Sequence, residues 1–439
     1  MCSIGEDDFG DDGGVHAMIP DVKKPVDNTL IEEQLCNKCR KPGAVYKLAF
    51  REAECRECFL LYARHKFRAA LGSSKILPKD AKVILVFDGS PESIVLLDML
   101  HHAQTQNTFK RLHCKATILY LDDYPMKEPA GKKQEDYEKF LENMQELLEK
   151  YEQFECYIAP LVNTSSVCKV LENFKTLNRQ QYLLRNEGEQ QLFIESVKAI
   201  KSLTSRQDFI KHQRSKLIAA VAKHFKCQFA LMANISSELA SDLLAAVALG
   251  RGGSAALDVA LVDDRLDDDI KLIRPLKDLN TMEIELYLKA QDLKPLQLNR
   301  YGHEKGFTAS IQNLTKSFVD NLQQNFSSTV STVFRTGDKI AVNHDMLTQL
   351  KDLELNDMEP LDKYCSFCNS VLDYHDSNTL LAIEFSRVVS ELGFTPEKYD
   401  QLNAKGKQNV KGSLEKDYAK KLCHACRNIC MDSNKEILL

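Results

Sequence analysis

The chain has 439 residues, of which 44% are hydrophobic and 28% charged, with a formal net charge of -5. That balance is ordinary for a globular protein of two to four units and excludes a globally basic nucleic-acid binder, so any RNA contact must come from local basic patches. No stretch approaches the roughly 18 apolar residues of a membrane span, and the acidic N-terminus lacks the apolar run of a secretory signal. A cytoplasmic protein without membrane contact is expected.

Residues 1–34 are acidic and bear Gly and Pro, which predicts a disordered tail. Over 35–75 a cysteine module runs into a basic helix, Phe59 to Leu71, that carries Arg64, Lys66 and Arg68. Cys36-x2-Cys39, fifteen residues, then Cys55-x2-Cys58 is the spacing of a four-thiolate zinc site. Two residues between ligands let both sulfurs of a knuckle reach one tetrahedral ion at about 2.3 Å. Disulfide frameworks belong to short secreted chains, so free thiolates for metal are the expectation here.

From 76 to 298 short apolar runs alternate with amphipathic helices. Val83–Phe87, Ala116–Leu121, Cys156–Leu161, Cys227–Ala233 and Lys271–Leu276 read as strands. Ser93–His102, Glu135–Phe154, Phe209–Phe225, Glu238–Leu249 and the segment opened by Thr281, taken as an N-cap, read as helices. The alternation predicts an α/β fold with a doubly wound parallel sheet, whose ligands sit off the carboxyl ends of its strands. A polar helical connector follows over 299–360.

The segment 361–439 holds the second cysteine module. Cys365/Cys368 and Cys423/Cys426 are separated by 54 residues, so this zinc-ribbon-like site is less standard, and Cys430, His375 or His424 could replace a ligand. A helix, 380–392, and a basic stretch with Lys405, Lys407, Lys411, Lys416, Lys420, Lys421 and Arg427 accompany it. Basic residues on a frame pinned by zinc suit an RNA backbone, because phosphate contacts position without reading sequence. Arg64, Lys66, Arg68, Lys416, Lys420, Lys421 and Arg427 are the RNA-binding candidates. For any single Lys, a solvated surface is the competing reading.

After the first strand come Asp88, Gly89, Ser90, Pro91, Glu92 and Ser93. Such a strand-turn-helix aims backbone N–H groups and a helix N-terminus at an anion. Gly89 permits close approach, Ser90 can cap the helix and Pro91 suits its first position. The turn resembles the pyrophosphatase loop, Ser-Gly-Gly-x-Asp-Ser, of ATP-dependent tRNA thiolases. Gly89 and Ser93 match, Glu92 stands for Asp, Asp88 replaces the first Ser and Ser90 the second Gly. Asp88 puts a carboxylate where phosphate oxygens would lie; at ~5 Å and an effective dielectric of ~20, two like unit charges repel by roughly 3 kcal/mol. A capped turn kept for architecture competes with ATP use.

The order of parts resembles the cytoplasmic tRNA 2-thiolation protein 2 family. The likeness is carried by CNKC…CREC, KVILVFDGSPESIVLLDML, RSKLIAAVAKHFKCQFALMANISSELASDLLAAVALGRG and IKLIRPLKDLNTMEIELYL. Active thiolases of the superfamily carry a Cys-x-x-Cys in the middle of the α/β domain and a Gly-His-Asn-x-Asp-Asp-like segment after a later strand. Here the central cysteines, Cys114, Cys156, Cys168 and Cys227, are isolated, and Asn234 to Glu238 leave only Glu238 for Mg²⁺.

The resemblance therefore implies a non-catalytic subunit paired with a catalytic thiolase in a heterodimer. It would help move sulfur from the thiocarboxylated ubiquitin-related modifier to uridine 34 of the tRNAs for Lys, Glu and Gln. The alternatives are an ATP-dependent sulfurtransferase with an unusual loop, and a zinc-bearing scaffold with no part in RNA modification.

Overall fold

A computed structural model describes residues 30–48, 51–72, 76–106, 111–127, 134–161, 171–267, 269–296, 301–326, 328–337, 339, 364–372 and 421–433. Of the tail expected over 1–34, residues 1–29 lie outside the described residues, as do Cys168, the helix expected at 380–392 and the lysines from 405 to 420; residues 30–34 belong instead to a strand.

Apolar runs without alternation become strands covered on both faces. The main sheet has seven strands: β4 (Ala81–Phe87), β5 (Cys114–Asp122), β6 (Glu155–Pro160), β7 (Glu172–Asn173), β8 (Phe229–Leu231), β9 (Val262–Asp267) and β10 (Ile270–Ile273), ordered β7-β6-β5-β4-β8-β10-β9. The five strands expected from the sequence are its parallel core, from β6 through β5, β4 and β8 to β10. The edge strands β7 and β9 pair antiparallel and were not expected. β9 reads VDDRLD, too polar to announce a strand; the β10 edge it covers is what makes it one. A separate three-stranded antiparallel sheet, β1 (Leu30–Leu35), β2 (Pro42–Leu48) and β3 (Arg51–Cys55), builds the N-terminal module.

Strand side chains alternate between two cores. Val83, Leu85 and Phe87 point into one, with Phe59 and Phe67 of helix α1 (Arg56–Gly72), Leu97 of α2 (Pro91–Thr105) and Tyr287. Ile84 and Val86 point into the other, with Phe209 and Leu217, and with Cys365, Phe367, Cys426 and Ile429 of the C-terminal module. Each cysteine module is thus packed against a different face of one sheet.

The remaining named α-helices in chain order are α3 (Tyr124–Lys127), α4 (Gln134–Glu149), α5 (Arg179–Ala199), α6 (Leu203–Phe225), α7 (Ser236–Ala248), α8 (Ala255–Val259), α9 (Thr281–Gln291), α10 (Ile311–Asn325) and α11 (His424–Asp432). Several boundaries differ from expectation; α6 starts at Leu203, six residues before Phe209. α4 stops at Glu149, and the following turn buries Tyr151 and Phe154. The N-cap of α9 is Asn280, not Thr281, because Asn280 and Glu283 close a capping box.

Candidate functional site

The strand order reverses between β4 and β8, and the turn after β4 lies at that switch point, where open α/β sheets hold their ligands. Gly89 takes φ +75°, a backbone that favours glycine, and a Cβ there would lie 3.2 Å from the Leu296 side chain, which would have to give by a few tenths of an ångström. Ser90 caps α2 by accepting from the Ser93 amide at 3.2 Å, with Pro91 in the first turn. The Ser90 amide, which an anion would need, donates instead to the Asp88 carboxylate at 3.1 Å. Leu296 closes the turn, its amide donating to the Gly89 carbonyl at 3.1 Å. Glu92 is half-buried in the first turn of α2.

The charge at the switch point is also internal. Arg214 of α6 pairs with buried Asp123 and is held further in its charged form by Asp88. Next to it, Asp122 is buried and accepts from the hydroxyls of Tyr137 and Tyr182 and from the Tyr124 amide. Burial pushes its carboxyl up to about 6, against the lowering pull of those donors. After β8 the helix start is equally self-satisfied: the Ser236 amide donates to the Leu279 carbonyl at 2.8 Å, and the hydroxyls of Ser237 and Thr281 share a 2.9 Å hydrogen bond.

Both predicted cysteine sets converge. The sulfurs of Cys36, Cys39, Cys55 and Cys58 lie within 4.8 Å of one another, and so do those of Cys365, Cys368, Cys423 and Cys426. Contacts of 3.7 Å (Cys39–Cys55) and 3.6 Å (Cys368–Cys423) match the ~3.8 Å edge of a tetrahedron with 2.3 Å metal–sulfur bonds. Each set therefore fits one tetrahedral metal ion. Cys430, although buried nearby, is not among the four.

The two surroundings differ. In the N-terminal set Cys39 is exposed. Burial works against the Cys36 thiolate, but the amides of Cys39, Cys55 and Lys38 overcome it and bring the thiol down to about 6; the Cys55 amide lies 3.2 Å from its sulfur. In the C-terminal set Arg251 donates to the Cys426 sulfur at 3.4 Å and grips buried Asp208 with both terminal nitrogens, at 2.8 and 2.6 Å. Burial alone would raise the Asp208 carboxyl, yet Arg251 and His212 hold it well below the usual carboxylate range. Phe367, inside the knuckle, stacks on Phe209 at 6.1 Å, with the Lys216 ammonium 4.1 Å from its ring centre. Sequence reasoning missed Arg251 and Asp208; nothing local marks a residue that serves a cysteine 175 positions away.

Residues 310–428 match the sequence profile of the family described as Cytoplasmic tRNA 2-thiolation protein 2. The protein of that description from Drosophila melanogaster is 50% identical over 435 residues, covering 98% of both chains, and its Drosophila simulans counterpart is 49% identical over 439. The chain belongs to the cytoplasmic tRNA 2-thiolation protein 2 family. Among solved structures, the U34-tRNA thiolase NcsA from Methanococcus maripaludis, with its 4Fe–4S cluster, covers 82% of this chain and 97% of its own, at 16% identity and a TM-score of 0.48. The α/β assignment stands on the strand order itself. Among the described residues no helix is long and apolar enough to cross a membrane.

In this member of the tRNA 2-thiolation family the basic residues of α1 are engaged within the chain. Lys66 bonds to the Asp278 carbonyl at 2.8 Å and to Glu283 at 3.0 Å, Arg64 to the Tyr287 hydroxyl at 3.2 Å, and Arg68 to Gln106. With Arg56, which donates to the Ala290 carbonyl at 2.6 Å, they lock α1 to α2 and α9. Arg427 is also corrected: it is buried within α11. Lys421 is exposed, while Lys416 and Lys420 fall outside the described residues. The central thiols Cys114, Cys156 and Cys227 lie at the amino ends of β5, β6 and β8, opposite the phosphate turn. Burial raises all three, Cys156 and Cys227 to about 11, which keeps them protonated and unreactive.

Proposed function

We propose that the chain is the non-catalytic subunit of a heterodimeric cytoplasmic tRNA thiolase. Its partner adenylates the C2 oxygen of uridine 34 in the tRNAs for Lys, Glu and Gln, and sulfur arrives from the thiocarboxylated ubiquitin-related modifier. Both four-cysteine clusters hold structural zinc, since four thiolates and no open position suit that ion.

One observation carries the reading. The amide that should greet a phosphate at the switch point is taken by the Asp88 carboxylate, under a glycine covered by Leu296. Ser90, Glu92 and Ser93 then serve as a helix cap and first turn, and ATP is not a ligand of this subunit. No reactive thiol stands at that end of the sheet among the described residues, which supports leaving sulfur chemistry to the partner.

Three measurements test it. Cells lacking the chain should lose 2-thiouridine from these tRNAs, and unchanged levels would leave only the scaffold reading. Purified chain given ATP, tRNA and a sulfur donor should release no pyrophosphate; sustained release would make it an enzyme in its own right. Elemental analysis should return two zinc ions per chain, and stoichiometric iron would overturn the metal assignment.

A further inference from the structure

The amino-terminal edge of the parallel sheet, remote from the switch point, carries charge that folding does not explain. Lys82 of β4 and Lys115 of β5 are direct partners in the ladder and lie on the same face as Ile84 and Leu119. Adjacent strands are about 4.8 Å apart, and like charges directly opposite one another destabilise a sheet. Both side chains are exposed, and among the described residues neither has a hydrogen bond or ion pair.

On that face α6 ends at Phe225, and Lys226, exposed and in the left-handed conformation at φ 54°, closes it. Lys82 lies close enough to bear electrostatically on Cys227, the next residue. On the same face as Leu119, Tyr157 of β6 and Phe225 form an aromatic pair, with ring centres 4.6 Å apart. His224 abuts Phe225 edge-on at 5.1 Å. The acids at this edge are Asp267, paired with Lys223 at 2.6 Å, Glu155, engaged with Tyr157, Asp80 before β4 and exposed Asp269 before β10.

We infer that this edge is an RNA-binding surface, in which Lys82, Lys115 and Lys226 hold backbone phosphates and the Tyr157–Phe225 pair offers a ring face to an unstacked base or ribose. A phosphate between Lys82 and Lys115 would turn their mutual repulsion into attraction. The aromatic pair fits RNA better than an acidic peptide, because stacking on a half-exposed ring serves any base. The inference rests on the tRNA reading above and replaces the basic helix, whose charges are spent inside the chain.

The full chain is titrated with an unmodified tRNA transcript bearing uridine 34, across a range of salt. Lys82→Glu, Lys115→Glu and Lys226→Glu together should weaken binding at least tenfold near 0.1 M salt. The slope of log affinity against log salt should fall by about 2, as expected when about three phosphate contacts go. A control with the same charge change, Lys198→Glu, Lys201→Glu and Lys305→Glu, should shift affinity less than threefold. Tyr157→Ala should cost a further few-fold without changing the slope.

Should the triple Glu variant fail to fold, the same three positions as Gln are read instead. Equal affinity and slope in wild type and variant overturn the surface, as does a control that loses as much; absence of binding by the wild type counts in the same way. Failure of the tRNA reading is separate: it appears as 2-thiouridine that persists without the chain.

Discussion

The two cysteine clusters present the same four sulfurs in opposite settings. The N-terminal one is encoded within 23 consecutive residues, Cys36 to Cys58, sits in its own small apolar cluster and leaves Cys39 in solvent. Backbone amides favour the thiolate of Cys36 there. The C-terminal one joins distant cysteines inside a main core of the α/β unit, with a guanidinium behind it and an aromatic stack across it. A site built from local sequence is an attachment; one built into the core is a condition for folding.

The largest expected effect tests that difference directly. Cys426→Ser or Cys365→Ser should cost about 5 kcal/mol or more and abolish a cooperative melt, because metal affinity there is folding energy. Cys39→Ser should remove one metal equivalent and leave the main melt within a few degrees. Equal losses in thermal melts paired with metal counts would erase the distinction.

Next, Arg251→Met should cost about 3–5 kcal/mol, since Asp208 would stay buried without its cation. The charge-transfer band of the cobalt-substituted protein should also move, and Arg251→Lys should restore part of both. An unmoved band would separate Arg251 from the metal.

The buried carboxylates extend the contrast, because Asp208 has a cation and Asp122 has only hydroxyl, amide and side-chain donors. The folded Asp122 carboxyl is raised to about 6 from 3.8. Its protonation therefore favours the native state at low pH, and this support fades as pH rises through about 6. Between pH 5 and pH 7 it should withdraw about 1 kcal/mol of stability, a change absent in Asp122→Asn when denaturant midpoints are compared.

The smallest effect is chemical. Under mild chelation, alkylation followed by mass spectrometry should label Cys39 before any C-terminal ligand, with less than about 1 kcal/mol lost at that stage.

Much of this was legible because buried parallel strands and Cys-x-x-Cys pairs are written locally. Val83–Phe87 could hardly be anything but a central strand, and Asp88 put a carboxylate in the turn that follows, where it takes the Ser90 amide. The partners of the basic helix were not legible, for a definite reason. Helical spacing puts Arg64 and Arg68 on one side but cannot say what lies opposite, and here that is Asp98, Tyr287 and Gln106. The edge strand β9 was illegible because its pairing, not its composition, makes it a strand. Lys82 and Lys115 were silent in sequence, since 33 positions separate two residues that a ladder sets side by side.

The closure of the C-terminal knuckles shapes how the chain can vary. Cys368 and Cys423 meet at 3.6 Å, and the Ser366 amide bonds to the Lys421 carbonyl at 2.9 Å, so knuckles 55 positions apart in sequence are fixed side by side. Closing a chain between two such points costs only about 0.6 kcal/mol more for each doubling of its length. The pairing of the two knuckles therefore tolerates a change in the number of residues between them, so long as the four cysteines and the Ser366–Lys421 contact stay.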